Sequence, residues 1–333
     1  MPTHGARDGS LEHMRLTGGA EALRAGLRRA AGESRERTVR MLESPSLRFP
    51  SLYLLTADIG RLRLYPELGA RNQTALRLCV RQSAEVQPVS TVGPPPGSIA
   101  GTPEQTRAAL RWMLQTGLAD DGLDDDYDQL MDTAAALLVI TWHDLSLLPQ
   151  MIPVVFRRHR RERAIHDLLW VIFRSRDPRI LDWFAAYLRS RDKRDVELAD
   201  KLLRGTLEPD EAPPGRPLRP DTYRAWLAEN RPYLYFTGEG FQQSSEPRLC
   251  RVALGAKYLG RPVAPGTGRM QTEPTPEEAA RLQKFEALAP EDRRRLARIS
   301  RRMRRTDPNR WRRWVAGDPA RLVPPAHPAG GRP

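Results

Sequence analysis

Residues Leu148 to Leu203, LPQMIPVVFRRHRRERAIHDLLWVIFRSRDPRILDWFAAYLRSRDKRDVELADKLL, carry one helical-hairpin pattern written twice. The first copy places Pro149, Met151, Ile152 and Val155 ahead of a basic turn and Ile165, Leu168, Val171 and Ile172 behind it. The second places Pro178, Ile180, Leu181 and Phe184 ahead of a charged turn and Val196, Ala199, Leu202 and Leu203 behind it. A hairpin whose apolar positions recur in register buries them against a neighbour, as stacked repeats do. The expected fold class is therefore all-α.

Working outward from this pair, helical patterning continues on both sides. Towards the N-terminus a helix is expected over Tyr127–Trp142. Another starts at Thr102, where Thr102, Pro103 and Gln105 supply an N-cap, a first-turn proline and a capping-box partner. Residues 1–98 form an N-terminal helical region, with helices expected over Glu21–Leu42 and within Leu52–Gln82, closed by the Pro/Gly linker Gly93–Gly97. The repeat core spans 102–206. A Pro-rich linker, 207–220, separates it from a short helix and an irregular aromatic connector, 221–268, in which glycines interrupt Tyr233–Phe241. A basic C-terminal helical module follows at 275–318, opened by Thr275, Pro276, Glu277 and Glu278, and 319–333 is expected to be a disordered tail.

Asp177-Pro178 opening a helix with Ile180, Leu181, Phe184 and Leu188, then Asp192 in the turn and Val196-x-x-Ala199-x-x-Leu202-Leu203, resembles a HEAT repeat. The match is strongest at 177–204 and extends to 147–174. It departs from the family at Glu197, where an arginine commonly follows the valine, and in its short spacing between copies. The resemblance implies a short armadillo/HEAT-like helical solenoid, in which Asp192 caps the second helix and Ala199 lets helices approach closely. It also implies a binding scaffold. Some DNA glycosylases share such folds, but nothing in the sequence places Asp167 or Trp170 on a DNA-facing surface.

Composition narrows the function classes. The chain has 333 residues and a formal charge of +13. Only Lys193, Lys201, Lys257 and Lys284 are lysines, an arginine bias that GC-rich coding produces regardless of function. The local imbalance is more informative, since Arg281 to Arg313 hold thirteen basic residues against Glu286, Glu291, Asp292 and Asp307. Cys79 and Cys250 are far apart and form no CxxC or Cys/His pattern, so neither a disulfide framework nor a zinc site is expected, and a reducing, cytoplasmic compartment follows. Met1–His4 opens no apolar signal core, and the longest apolar run, Ala134 to Trp142, is too short to span a bilayer.

No catalytic, cofactor-binding or metal-ligating set is expected. Asp124, Asp126 and Asp128 have the spacing that begins a calcium loop, but Gln129 replaces its glycine and Ala135 its bidentate glutamate. The acidic run from Asp120 to Asp128 is expected instead to pair with an arginine cluster, inside the chain or on a partner. His143, Asp144 and Ser146 are near neighbours without triad geometry. No GxxxxGK[ST] occurs, and Gly266-Thr267-Gly268 lies in a Pro/Gly loop.

Two surfaces remain. Candidate anionic-partner contacts are Arg157, Arg158, Arg160, Arg161 and Arg163 in the first repeat's turn, and Arg293, Arg294, Arg298, Arg301, Arg302 and Arg305 on the C-terminal helix. Candidate aromatic docking residues are Tyr223, Trp226, Tyr233, Tyr235, Phe236, Phe241, Trp311 and Trp314, which either line a docking site or pack into the fold. The expected function is a non-enzymatic, cofactor-free scaffold or adaptor that binds another protein. The alternative is a nucleic-acid-associated protein using the arginine-rich helices, with the tryptophans stacking on bases or buried against Phe285.

Overall fold

The computed structural model describes residues 10–84, 102–207, 216–240, 243–244 and 247–323. The linker at Gly93–Gly97, most of the Pro-rich stretch, Phe241 and the tail beyond Val323 lie outside them. The chain divides into two compact units, 1–175 and 176–333, and the division falls between the two hairpin copies. Helices dominate both units, in agreement with the all-α class.

The first unit comprises α1 (Leu11–Glu33), α2 (Arg35–Leu42), α3 (Phe49–Leu54), α4 (Thr56–Arg61), α5 (Ala70–Ala84), α6 (Pro103–Gly117), α7 (Asp125–Ala136), α8 (Leu148–Arg160) and α9 (His166–Arg174). The single helix expected over Glu21–Leu42 is replaced by two. The first, α1, starts under a Ser10 cap and is broken at Gly19 (φ +71°), just ahead of the expected start, and Ser34 then divides the stretch again by accepting from the Arg37 amide and restarting the chain as α2. The capping box at Thr102 and Gln105 forms as expected. α6 lies against α3, α5 and α7, and α9 packs on α7 and α8. Met151, Ile152 and Val155 of α8 and Leu168, Val171 and Ile172 of α9 are all buried.

The second unit comprises α10 (Arg179–Ala186), α11 (Lys193–Arg204), α12 (Pro220–Asn230), β1 (Leu234–Phe236), β2 (Cys250–Val252), α13 (Leu254–Leu259), α14 (Pro276–Glu286), α15 (Pro290–Thr306), α16 (Pro308–Val315) and α17 (Pro319–Leu322). Ile180, Leu181 and Phe184 of α10 and Ala199, Leu202 and Leu203 of α11 are buried, and Asp192 caps α11 by accepting from the Arg194 amide. The aromatic connector is less irregular than expected. Leu234, Tyr235 and Phe236 pair antiparallel with Val252, Arg251 and Cys250 as a two-stranded ribbon, a non-local pairing that local periodicity does not reveal. Asp221 does not cap α12. That helix begins at Pro220 without a side-chain cap, and Asp221 pairs with Arg189 instead.

Cys79 and Cys250 are both buried free thiols. Among the described residues no helix is long and apolar enough to cross a membrane.

Candidate functional site

The C-terminal core is built first by sequence pattern. α14 opens with a capping box between Thr275 and Glu278, and α15 starts at Pro290 with Glu291 and Asp292 in its first turn, which suits the positive end of the helix. Along α15 Leu296, Ala297 and Ser300 turn inward and meet Tyr258, Leu259, Phe285 and Val315. Trp311 and Trp314 pack against this core, and Tyr258 stacks on Phe285 at 4.7 Å between centroids. The buried Ser300 hydroxyl donates to the Tyr258 carbonyl and accepts from the Trp311 indole N–H at 2.8 Å.

One arginine of α15, the half-buried Arg304, is tied to the core. Arg304 donates to the Gly260 carbonyl and the Tyr233 hydroxyl, and lies 5.9 Å from the Tyr233 ring centroid and 5.8 Å from that of Trp311. Gly260 ends α13 in the left-handed region at φ +70°, and a Cβ there would collide with the Arg304 guanidinium. Tyr233, Gly260, Arg304 and Trp311 therefore form one interlocked group. The tryptophans pack onto the core beside Phe285, the second of the two placements the sequence left open.

The outer face of α15 is different. Arg298, Arg301, Arg302, Arg305, Ile299 and Thr306 form one wall of a groove of about 950 Å³, and Ala225, Ala228 and Glu229 of α12 form the other. A smaller hollow of about 390 Å³, lined by Glu291, Arg294, Arg295, Arg298 and Ile299, continues along the same helix. The α12 wall is held by Lys257, a buried lysine whose Nζ lies 2.9 Å from Glu229 Oε1 and 2.7 Å from Asn230 Oδ1. The carboxylate of Glu229 is thus matched by a cation behind it. Arg301, Arg302 and Arg305 have no carboxylate within ion-pair distance among the described residues. Other arginines of the same unit do have carboxylate partners, among them Arg189, Arg204, Arg231 and Arg261.

In the first unit the acidic run meets the other arginine cluster. Arg158 is 1% exposed and is held by Asp121 at 2.7 Å, Asp132 at 2.8 Å and Asp128 at 3.6 Å. Arg163 reaches Asp125 at 2.7 Å and Asp128 at 3.2 Å, and Arg157 donates to the Leu118 carbonyl at 2.5 Å. The pairing expected between the aspartates and an arginine cluster thus forms within the chain. Burial works against the charge of Arg158, but Asp132 and Asp121 more than offset it and hold the guanidinium protonated. Asp132 is pushed up to about 7 by burial, against the pull of Arg158, and its Oδ1 has no hydrogen-bond partner.

Of the residues expected to meet an anionic partner, Arg158 is corrected: it is a core ion, removed from the surface by three carboxylates. Arg157 and Arg163 are half-buried and bound internally, Arg160 is half-buried and Arg161 exposed. On α15, Arg298, Arg301, Arg302 and Arg305 line the groove and Arg294 the adjoining hollow, whereas half-buried Arg293 lines neither. Of the aromatic candidates, Tyr223, Tyr233 and Phe236 are buried and present no docking face. Trp226 and Tyr235 are half-buried, with Tyr235 lying against Gly268. Asp144 accepts from Ser146, Arg111 and Arg107; burial opposes its charge, but these bonds outweigh it and hold the carboxyl well below its ordinary range.

Sequence reasoning missed Ala225, Ala228 and Glu229. Alanines three apart on a helix are a signal for a low, accessible wall, but only when the facing helix is known. Comparison of the chain with family models, curated proteins and solved structures finds no match.

Proposed function

We propose that this chain is a non-enzymatic adaptor that binds an acidic segment of another protein in the groove between α12 and α15. The observation that carries this reading is the set Arg301, Arg302 and Arg305, which line the groove without an ionic partner among the described residues. Clustered guanidinia desolvate more readily than ammonium groups and bind carboxylates in a bidentate fork, so a groove lined by them favours an acidic occupant. Ala225, Ala228 and Ile299 add an apolar strip, which a protein segment uses and a bare polyanion does not. The wider reading, an armadillo- or HEAT-like helical repeat, is supported by the two hairpins with matching apolar positions.

The test is isothermal titration of the full chain with an acidic peptide, beside a variant carrying Arg301→Glu, Arg302→Glu and Arg305→Glu. Affinity is expected to fall by about tenfold or more, about 1.4 kcal/mol, on charge reversal. Equal binding by both proteins overturns the reading.

A nucleic-acid partner is favoured by one observation, the eight arginines of α15 against Glu291 and Asp292. The packing of Trp311 and Trp314 on the core counts against it, since base stacking needs exposed rings.

A further inference from the structure

We propose that the occupant of the groove is an acidic amphipathic helix, laid along α15 with its carboxylates spaced one turn apart. This rests on the acidic-partner reading and adds to it the partner's conformation.

The pitch of the arginines carries the first part. Arg298, Arg301, Arg302 and Arg305 recur at intervals of three and four residues, and Arg294 extends the row by one more turn through the adjoining hollow. At about 1.5 Å per residue, the side chains from Arg294 to Arg305 emerge at roughly 5 Å intervals over about 16 Å. A second helix with acidic residues at i, i+4, i+7 and i+11 repeats at that same pitch and stays in register along the whole row. An extended segment presents same-face side chains every ~7 Å and loses register after the first contacts.

The shape of the groove carries the second part. Its α12 wall is cut low by Ala225 and Ala228, which lie one turn apart and are exposed, and Ile299 rises from the other side. Small residues at one-turn spacing allow close approach of another helix. An apolar stripe beside the acidic row fits this strip, which is the helix-in-groove mode of recognition. The only carboxylate of the α12 wall, Glu229, is paired with Lys257 and offers little repulsion to an incoming acid.

The experiment uses the full chain and three fluorescent probes, read by anisotropy at physiological salt. The first is a peptide of about 16 residues with glutamates at i, i+4, i+7 and i+11 and leucines on the adjacent stripe. The second has the same composition with glutamates at alternate positions, and the third is single-stranded oligo-dT. Binding of the first peptide about tenfold tighter than the second, with a gain in helical circular dichroism on binding, is the expected result. Arg302→Glu with Arg305→Glu is expected to abolish that preference, and Arg28→Glu, at an exposed position on α1, to leave it intact. Both substituted groove positions are exposed, and an unchanged thermal melt verifies that the variant folds. Equal binding of the two peptides overturns the helical occupant and leaves the acidic-partner reading standing. Binding of neither peptide overturns both, and so does oligo-dT binding as tightly as the first peptide.

Discussion

Arg158 shows how little a residue's type says about its place. In sequence it is one of five arginines in a seven-residue turn, but in the fold it is a buried ion ringed by Asp121, Asp128 and Asp132. Removing the cation leaves three carboxylates facing each other in a dry site, so Arg158→Met is expected to cost about 3–5 kcal/mol in urea unfolding. Asp132 has the opposite sign of effect. Its carboxyl in the folded chain holds a proton up to about 7, whereas an unfolded aspartate releases it near about 3.9. The folded state therefore binds more protons between these values, and the contribution of Asp132 to stability is present below that window and lost as pH rises through it. The difference in unfolding free energy between Asp132→Asn and the parent chain is expected to move in favour of the variant from pH ~4 to pH ~7; a difference independent of pH contradicts the assignment.

At the scale of elements, the helix ends were the most legible features because capping is local. Thr102 with Gln105, Thr275 with Glu278, and Asp192 all accept the amide hydrogen bonds that their positions imply. Asp192→Ala is expected to destabilise the second hairpin by about 1 kcal/mol, measured by thermal or urea unfolding, with Asn restoring most of the loss. Asp221 does not serve as a cap because Pro220 already occupies the first helical position, which puts the aspartate inside the helix. The β1–β2 ribbon escaped a reading by periodicity altogether. Each strand has three residues, too few for alternation to register, and the partners lie far apart in sequence.

At the scale of the molecule, the positive charge resolves into two unlike parts. The cluster in the first unit is largely neutralised by the Asp120–Asp128 run, whereas on the outer face of α15 the row Arg301, Arg302 and Arg305 has no carboxylate partner among the described residues. Association with an acidic peptide is therefore expected to weaken as salt rises, because the row is solvent-accessible and its field is screened beyond about 8–10 Å at physiological ionic strength. The slope is expected to shrink in the Arg301→Glu, Arg302→Glu, Arg305→Glu variant and to stay unchanged in Arg161→Glu, which alters the other cluster. A salt-independent affinity measured by titration contradicts the electrostatic assignment.

By itself the sequence determined the helical class, most of the buried positions of both hairpins, although Ile165 and Val196 are only half-buried, the caps of α6, α11 and α14, and the concentration of charge on α15. Each of these depends on residues within a few turns of one another. Only the tertiary structure decided which arginines are ions of the core and which are open, that Trp311 is tied to Ser300, and that Ala225 and Ala228 face Arg298 and Arg302. The physical reason is the same in every case. Burial, desolvation and pairing depend on what packs against a side chain, and those neighbours come from distant parts of the chain.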